Sequence, residues 1–313
     1  MKRRFGFVLV GALLLALVGE LGARWILGLG DPPLTVRDPE VEYLFAPNQD
    51  VRRFGNRLVY NVSMRSADRW SMAKERPEEL RVLVLGDSVI NGGALTDHAR
   101  LATTIAQEAL DRPDRPVRVG NVSAGSWGPE NLLAYVERFG LFDADLVVVV
   151  LSTHDLRDVR TFPDDLGPDF PLEKPISALW EGMTRYLAPR LGFGVRPPPV
   201  TAPPADAIDR SVAALRKLFE LAEADGVELV VLHHPERDEP GQEPVEDAAI
   251  LRGAIERMDR IVIPMSAWLG SVAERQPYYR DEIHINEVGQ RVYGEVLICL
   301  IEHLGSPRSC TKP

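Results

Sequence analysis

The sequence predicts an α/β fold, three layers deep, with a mostly parallel sheet between helices. Three observations lead there. From Arg81 onward, short apolar runs alternate with segments whose apolar residues recur at helical spacing. The strand-like runs are apolar throughout, as strands covered on both faces must be. Glycine, proline and asparagine stand between the segments, where chains turn.

Taken in order, the chain begins with Lys2, Arg3 and Arg4, followed by "FGFVLVGALLLALVG" over 5–19. A basic flank before an apolar run reads as an export signal. No clear small-residue cleavage site follows, so residues 1–30 read as a signal anchor rather than a cleaved signal. Phe5 to Leu29 is long enough to cross a bilayer as one helix. Glu20 and Arg24 then share a helix face and can pair near the outer interface. The basic end stays cytoplasmic, which puts the remainder outside, in a periplasm or at a cell surface.

Residues 31–80 read as a linker followed by a hairpin. "GDPPLTVRDPEVEYLFAPNQD" is rich in Pro and Asp, and "VRRFGNRLVYNV" has strand-type runs on either side of Gly55-Asn56. The main domain spans 81–304. Strands are expected at 81–85, 117–122, 145–151, 227–232 and, more briefly, 261–263. Helices are expected at 95–110 with Asp97 as N-cap, at 128–140 between Pro129 and Gly140, at 207–226, and at 286–304 capped by Asn286. Residues 160–206 interrupt this rhythm with "FPDDLGPDFPLEKP" and "RPPPVTAPP". An insertion that long is usually a functional loop or lid, and Trp180, Tyr186 and Phe193 imply that it packs in part. Residues 305–313 form a tail.

The 313 residues suit one large domain or two small ones, and 45% apolar content supports a real core. A formal net charge of −10 removes a broad electrostatic case for nucleic acid. Cys299 and Cys310 are the only two cysteines. An oxidising compartment would let them pair, and one buried and one exposed thiol would fit equally well. No metal or other cofactor is expected. His233 and His234, in "HHPERDEPG", either line a cleft or belong to a surface turn, and the turn residues favour the second. The acidic run over 236–247 reads as a solvated loop, and Arg65 as an exposed structural residue. Asn61 and Asn121 fit the glycosylation acceptor pattern, which is short and common.

Sites in parallel sheets form beyond the C-terminal ends of the strands. The first exit is Gly86-Asp87-Ser88, where a serine hydroxyl needs a neighbouring base to act as a nucleophile. The second is "GNVSAGSWGPEN", a small-residue loop that can aim backbone N–H groups at an anion. The third is "VVVVLSTHDLRDV", which delivers His154 in front of Asp155. The last is "YYRDEIHINEVG", where Asp281 stands three residues before His284 and can reach its Nδ1–H. Each alone is an ordinary loop.

Together, in this order, they resemble the SGNH (GDSL) hydrolase family over residues 81 to 304. The first block is Gly86-Asp87-Ser88. Gly125 is the best match for the second block's oxyanion glycine, with Gly128 competing. Ser152-Thr153-His154-Asp155 stands where the family has Gly-x-Asn-Asp, and Asp281-Glu282-Ile283-His284 matches the fifth block. The apolar first helix, "RFGNR" (53–57) and "SMRS" (63–66) are further similar to membrane-anchored bacterial members. The resemblance implies a flavodoxin-like sheet and a serine esterase whose triad is Ser88, Asp281 and His284. Its oxyanion hole would comprise Ser88, Gly125 and His154, since a neutral imidazole carries one N–H donor in place of the family's asparagine. The implied substrate is an acyl ester on carbohydrate or surface polysaccharide. The alternatives are an O-acetyltransferase using the same triad and a non-catalytic glycan-binding or assembly protein on the same fold.

Overall fold

The computed structural model describes residues 2–164, 166–193, 202–239 and 246–310. Most of the "RPPPVTAPP" stretch, the middle of the acidic run and the end of the tail lie outside the described residues. The first helix, α1, runs Lys2–Trp25. Two antiparallel hairpins follow. One pairs β1 (Thr35–Asp38) with β2 (Glu42–Phe45), and the other pairs β3 (Gln49–Arg53) with β4 (Asn56–Tyr60). The second hairpin was expected about Gly55-Asn56. Its turn is instead Phe54-Gly55, both at positive φ, the conformation that two-residue hairpin loops need. The first hairpin corrects the expected linker. Val41, Tyr43 and Leu44 sink into the main core, and that burial orders a stretch whose prolines and acids read as loop.

Five parallel strands make the central sheet. They are β5 (Leu80–Gly86), β6 (Val117–Ser123), β7 (Leu146–Ser152), β8 (Glu228–His234) and β9 (Ile261–Pro264), in the order β6-β5-β7-β8-β9. This is the flavodoxin-like order, and its reversal between β5 and β7 opens a crevice at the strand ends. Successive residues of each strand face two separate cores. Leu83, Leu85, Val147, Val149 and Val231 face α4 (Pro129–Phe139), α7 (Ala207–Ala224) and α8 (Glu246–Arg257). Val82, Val84, Val148, Val150 and Val230 face α2 (Ser88–Asn91), α3 (Ala102–Leu110) and α11 (Glu287–Glu302).

The remaining helices are short. In the insertion, α5 (Ala178–Glu181) continues through a π-type stretch, Gly182–Leu187, into α6 (Ala188–Arg190). Near the last strand lie α9 (Ser266–Leu269) and α10 (Val272–Arg275). The helix expected over 95–110 is shorter, because Asp97 caps a 3₁₀ turn at His98–Arg100 and α3 starts only at Ala102. Helix α8 was not anticipated. Pro129, Gly140 and Asn286 stand where expected at helix ends. Cys299 and Cys310 form a disulfide that ties the tail to α11. Asn121 is fully buried in β6, so its acceptor pattern has no access to the surface.

Candidate active site

The C-terminal ends of β5, β6 and β7 open on a cleft of about 520 Å³. Ser88, Gly125, His154 and His284 line its floor, and Phe45 and Tyr60 from the hairpins with Phe170 and Tyr186 from the insertion line its walls. A serine and histidine 196 residues apart in sequence thus meet in one cavity.

Ser88 is presented by a tight strand-to-helix turn. The Asp87 carboxylate accepts the Val89 N–H at 2.9 Å and caps α2, which fixes Ser88 as the first helical residue. Asn91 braces the neighbouring exit by donating to the Ser123 carbonyl at 2.8 Å. His284 Nε2 lies 2.9 Å from Ser88 Oγ. The other ring nitrogen faces Asp281, with Oδ2 at 2.9 Å and Oδ1 at 3.0 Å. Asp281 also accepts the backbone N–H of His284 at 2.7 Å and that of Ile283 at 3.0 Å, so one carboxylate holds both the ring and the turn that carries it. Burial works against its charge, but those N–H groups and the ring keep Asp281 below the usual carboxylate range. A hydroxyl, an imidazole and an oriented carboxylate in line form the arrangement that activates a serine for nucleophilic attack.

Gly125 lines the cleft beside Ser88, and the Tyr43 hydroxyl donates to its carbonyl, which links the first hairpin to this loop. Gly128 does not line it. Gly128 lets the start of α4 approach the loop after β7, where an added Cβ would fall 1.8 Å from the Asp158 carbonyl oxygen. Its role is close packing, and Gly125 is the glycine at the cleft.

His154 occupies the expected place in a surprising environment. Its Nε2 lies 3.4 Å from Asp87 and 3.3 Å from Asp155, and its Nδ1 lies 3.4 Å from Glu236. Burial opposes charge on the ring, but Asp155, Asp87 and Glu236 together push its pKa up to about 11. The ring is therefore an imidazolium at neutral pH, with both nitrogens turned toward carboxylates. Asp87, although burial resists it, is held charged by His154 and the Val89 N–H. Asp155 is raised well above the carboxylate range, first by burial and then by the charge of Asp87. Asp158, on the same wall, is pushed up to about 6, chiefly by burial.

Two placements correct the sequence reading. His233 and His234 end β8 and are buried, rather than sitting in a surface turn. His234 Nε2 lies 2.8 Å from the Ile283 carbonyl, and its Nδ1 faces the Tyr293 hydroxyl. It thereby braces the loop that carries His284. Arg65 is not exposed. It is fully buried and donates to the Tyr60 hydroxyl and the Thr96 carbonyl, both at 2.9 Å.

Sequence reasoning missed two cleft residues, Asp158 and Arg280, and also Glu236, which faces His154. Glu236 carries no local signal, because the fold alone brings it to His154, whereas Asp158 follows His154 by four residues in the same strand exit. Arg280 directly precedes the Asp-x-x-His motif, and its guanidinium lies 3.6 Å from Asp281 and 3.2 Å from the Gly92 carbonyl.

The sequence matches no protein-family model and no curated protein. Among solved structures, it is similar to an acetylxylan esterase from Geobacillus stearothermophilus, with 13% identity and a TM-score of 0.43, over 71% of this chain and 94% of the other. A Bacteroides fragilis protein described as an acylhydrolase is 13% identical with a TM-score of 0.43, over 74% of this chain and 89% of the other. A Desulfitobacterium hafniense protein described as lipolytic and of the G-D-S-L family is 12% identical with a TM-score of 0.43, over 69% and 95%. At that distance, the chemistry has to be read from this chain's own residues.

Proposed function

We propose that the chain is a serine esterase of the SGNH type, held at a membrane by its first helix and acting outside the cytoplasm on acylated carbohydrate. The observation that carries this reading is the line from Ser88 Oγ to His284 Nε2 to Asp281. His284 takes the Ser88 proton as Oγ attacks the ester carbonyl. The tetrahedral oxyanion is met by the Ser88 and Gly125 N–H groups, with His154 beside them. Collapse expels the alcohol, which takes the proton back from His284. Water, deprotonated by His284, then attacks the acyl-serine, and His284 returns that proton to Ser88 Oγ as the acid leaves. The aromatic walls of the cleft suit a sugar face, which supports carbohydrate as the carrier of the ester.

The test is covalent labelling with a fluorophosphonate. Wild type should label, and Ser88→Ala should not. Folded wild-type protein that resists the probe would remove the esterase reading. Asp281→Asn should label far more slowly, because the imidazole loses its orienting acceptor.

A further inference from the structure

Helix α1 does not hang free of the domain. Residues 4–18 are exposed along their whole length, but from Gly19 the helix is docked. The Glu20 carboxylate accepts from Arg24 at 2.7 Å, from the Ser177 hydroxyl at 2.8 Å and from the backbone N–H groups of Ala178 and Leu179 at 3.0 and 2.9 Å. All but the first of these donors belong to the insertion. Leu179 lies against Gly19, and Ala178 forms a small core with Ala23 and Leu29. Glu181 accepts the Gly30 N–H at 2.6 Å and pairs with Arg53. The insertion helix is clamped to the end of α1.

Its outward face is apolar and uncovered. Trp180, Met183, Leu187 and Leu191 recur at helical spacing, with Ile176 before them and Phe193 after. Trp180 is 64% exposed, Phe193 71% and Ile176 100%. Single exposed apolar residues are common, but three on one face of a short helix, continued by Ile176 before it and Leu191 and Phe193 after it, call for an occupant. The height of the stripe identifies that occupant. At 1.5 Å per residue, a helix needs about 20 residues to cross the roughly 30 Å of hydrocarbon. Counted from Phe5, that reaches Arg24, so a bilayer crossed by α1 ends at the level where the insertion helix packs. Tryptophan and arginine are interfacial residues, and Trp25 and Arg190 flank the region, both exposed.

We propose that the helix over 178–190 lies in the membrane surface with this stripe in the lipid, clamped to the anchor through Glu20. This rests on the reading of α1 as a membrane anchor. The same segment carries Arg185 and Tyr186 into the cleft wall. The cleft therefore opens at headgroup level, suited to an acyl ester on a membrane-associated glycan.

Both native cysteines are in the disulfide, so introduced cysteines can carry a fluorophore. The full chain would be reconstituted in vesicles of equal parts phosphatidylcholine and phosphatidylglycerol containing nitroxide-labelled lipid. Labels go at Leu187→Cys on the stripe, Leu14→Cys in α1, and Asp114→Cys in the loop entering β6, at the far end of the sheet. Quenching at 187 and 14 but not at 114 is the expected result. Quenching at 14 without 187 would overturn the proposal and leave the anchor standing. No quenching at either would remove the anchor and the proposal together. A 187 label shielded from aqueous iodide as well as from lipid quencher would give the face to a second protein and also overturn it.

Discussion

His154 decides how this site differs from the family it resembles. An asparagine there would offer one neutral donor, and nothing to balance the charges of Asp87 and Glu236. The imidazolium supplies that balance, since carboxylates so placed and buried would otherwise stay neutral or drive one another apart. In the proposed mechanism it also sets a positive charge beside the position where the oxyanion would form. His154→Ala should lower kcat/KM on an activated acetyl ester by about 10²-fold, the cost of one lost oxyanion interaction. His154→Asn should lose less, because a donor remains although the charge is gone. If the alanine variant matches wild type, His154 has no part in oxyanion binding. The three residues of the proposed triad were legible at this scale because each lies in a short local pattern, with Asp281 three residues before His284 and Ser88 at a strand exit. The carboxylates around His154 were only half legible. Asp87 and Asp155 adjoin motif residues, but Glu236 arrives from the loop after β8, a contact no local spacing records.

Among the elements, the strands were read almost in full because their runs are buried on both sides and leave no polar position to confuse them. The misreadings fell where tertiary contact overrides composition. The first hairpin is ordered by Tyr43 and Val41 in the core, and β8 runs on through His233 and His234 because the imidazoles are buried there. Gly128 shows the same point from the other side. From the sequence it competed with Gly125 for the oxyanion role, and in the fold it is a contact between the start of α4 and the loop after β7. Its φ of −100° is open to any residue, so the constraint is space alone. Gly128→Ala should therefore cost about 1–3 kcal/mol through displaced backbone, as overpacking does. Because the displaced loop carries His154 and Asp158, activity should fall with it. A melting temperature equal to wild type would show that the two segments can part without strain.

The whole molecule sets buried histidines of opposite sign against one another. His234, fully buried between Tyr293 and the Ile283 carbonyl, has its pKa lowered to about 4, first by burial. His98 and His233 are lowered to about 4 for the same first reason. Their ordinary value is 6.5, so between the two values the unfolded chain takes up protons that the folded chain refuses. Stability present above that range is lost as pH falls through it. Asp155 and Asp158 work the other way, since a carboxyl raised above its ordinary range favours the folded state as pH falls, but they are two groups against three. His154, raised to about 11, contributes stability that is complete below 6.5 and lost as pH rises toward 11. The fold should thus be most stable near neutrality, with an acid slope set by the imidazoles. His234 alone can supply up to about 3 kcal/mol of that slope, at about 1.4 kcal/mol per pKa unit. Thermal unfolding of wild type and His234→Gln across this acid range tests it. Glutamine keeps a donor for the Ile283 carbonyl but cannot take the extra proton, so the variant should start less stable and fall less steeply. Parallel slopes would place the acid sensitivity elsewhere, in the paired carboxylates that protonate lower still.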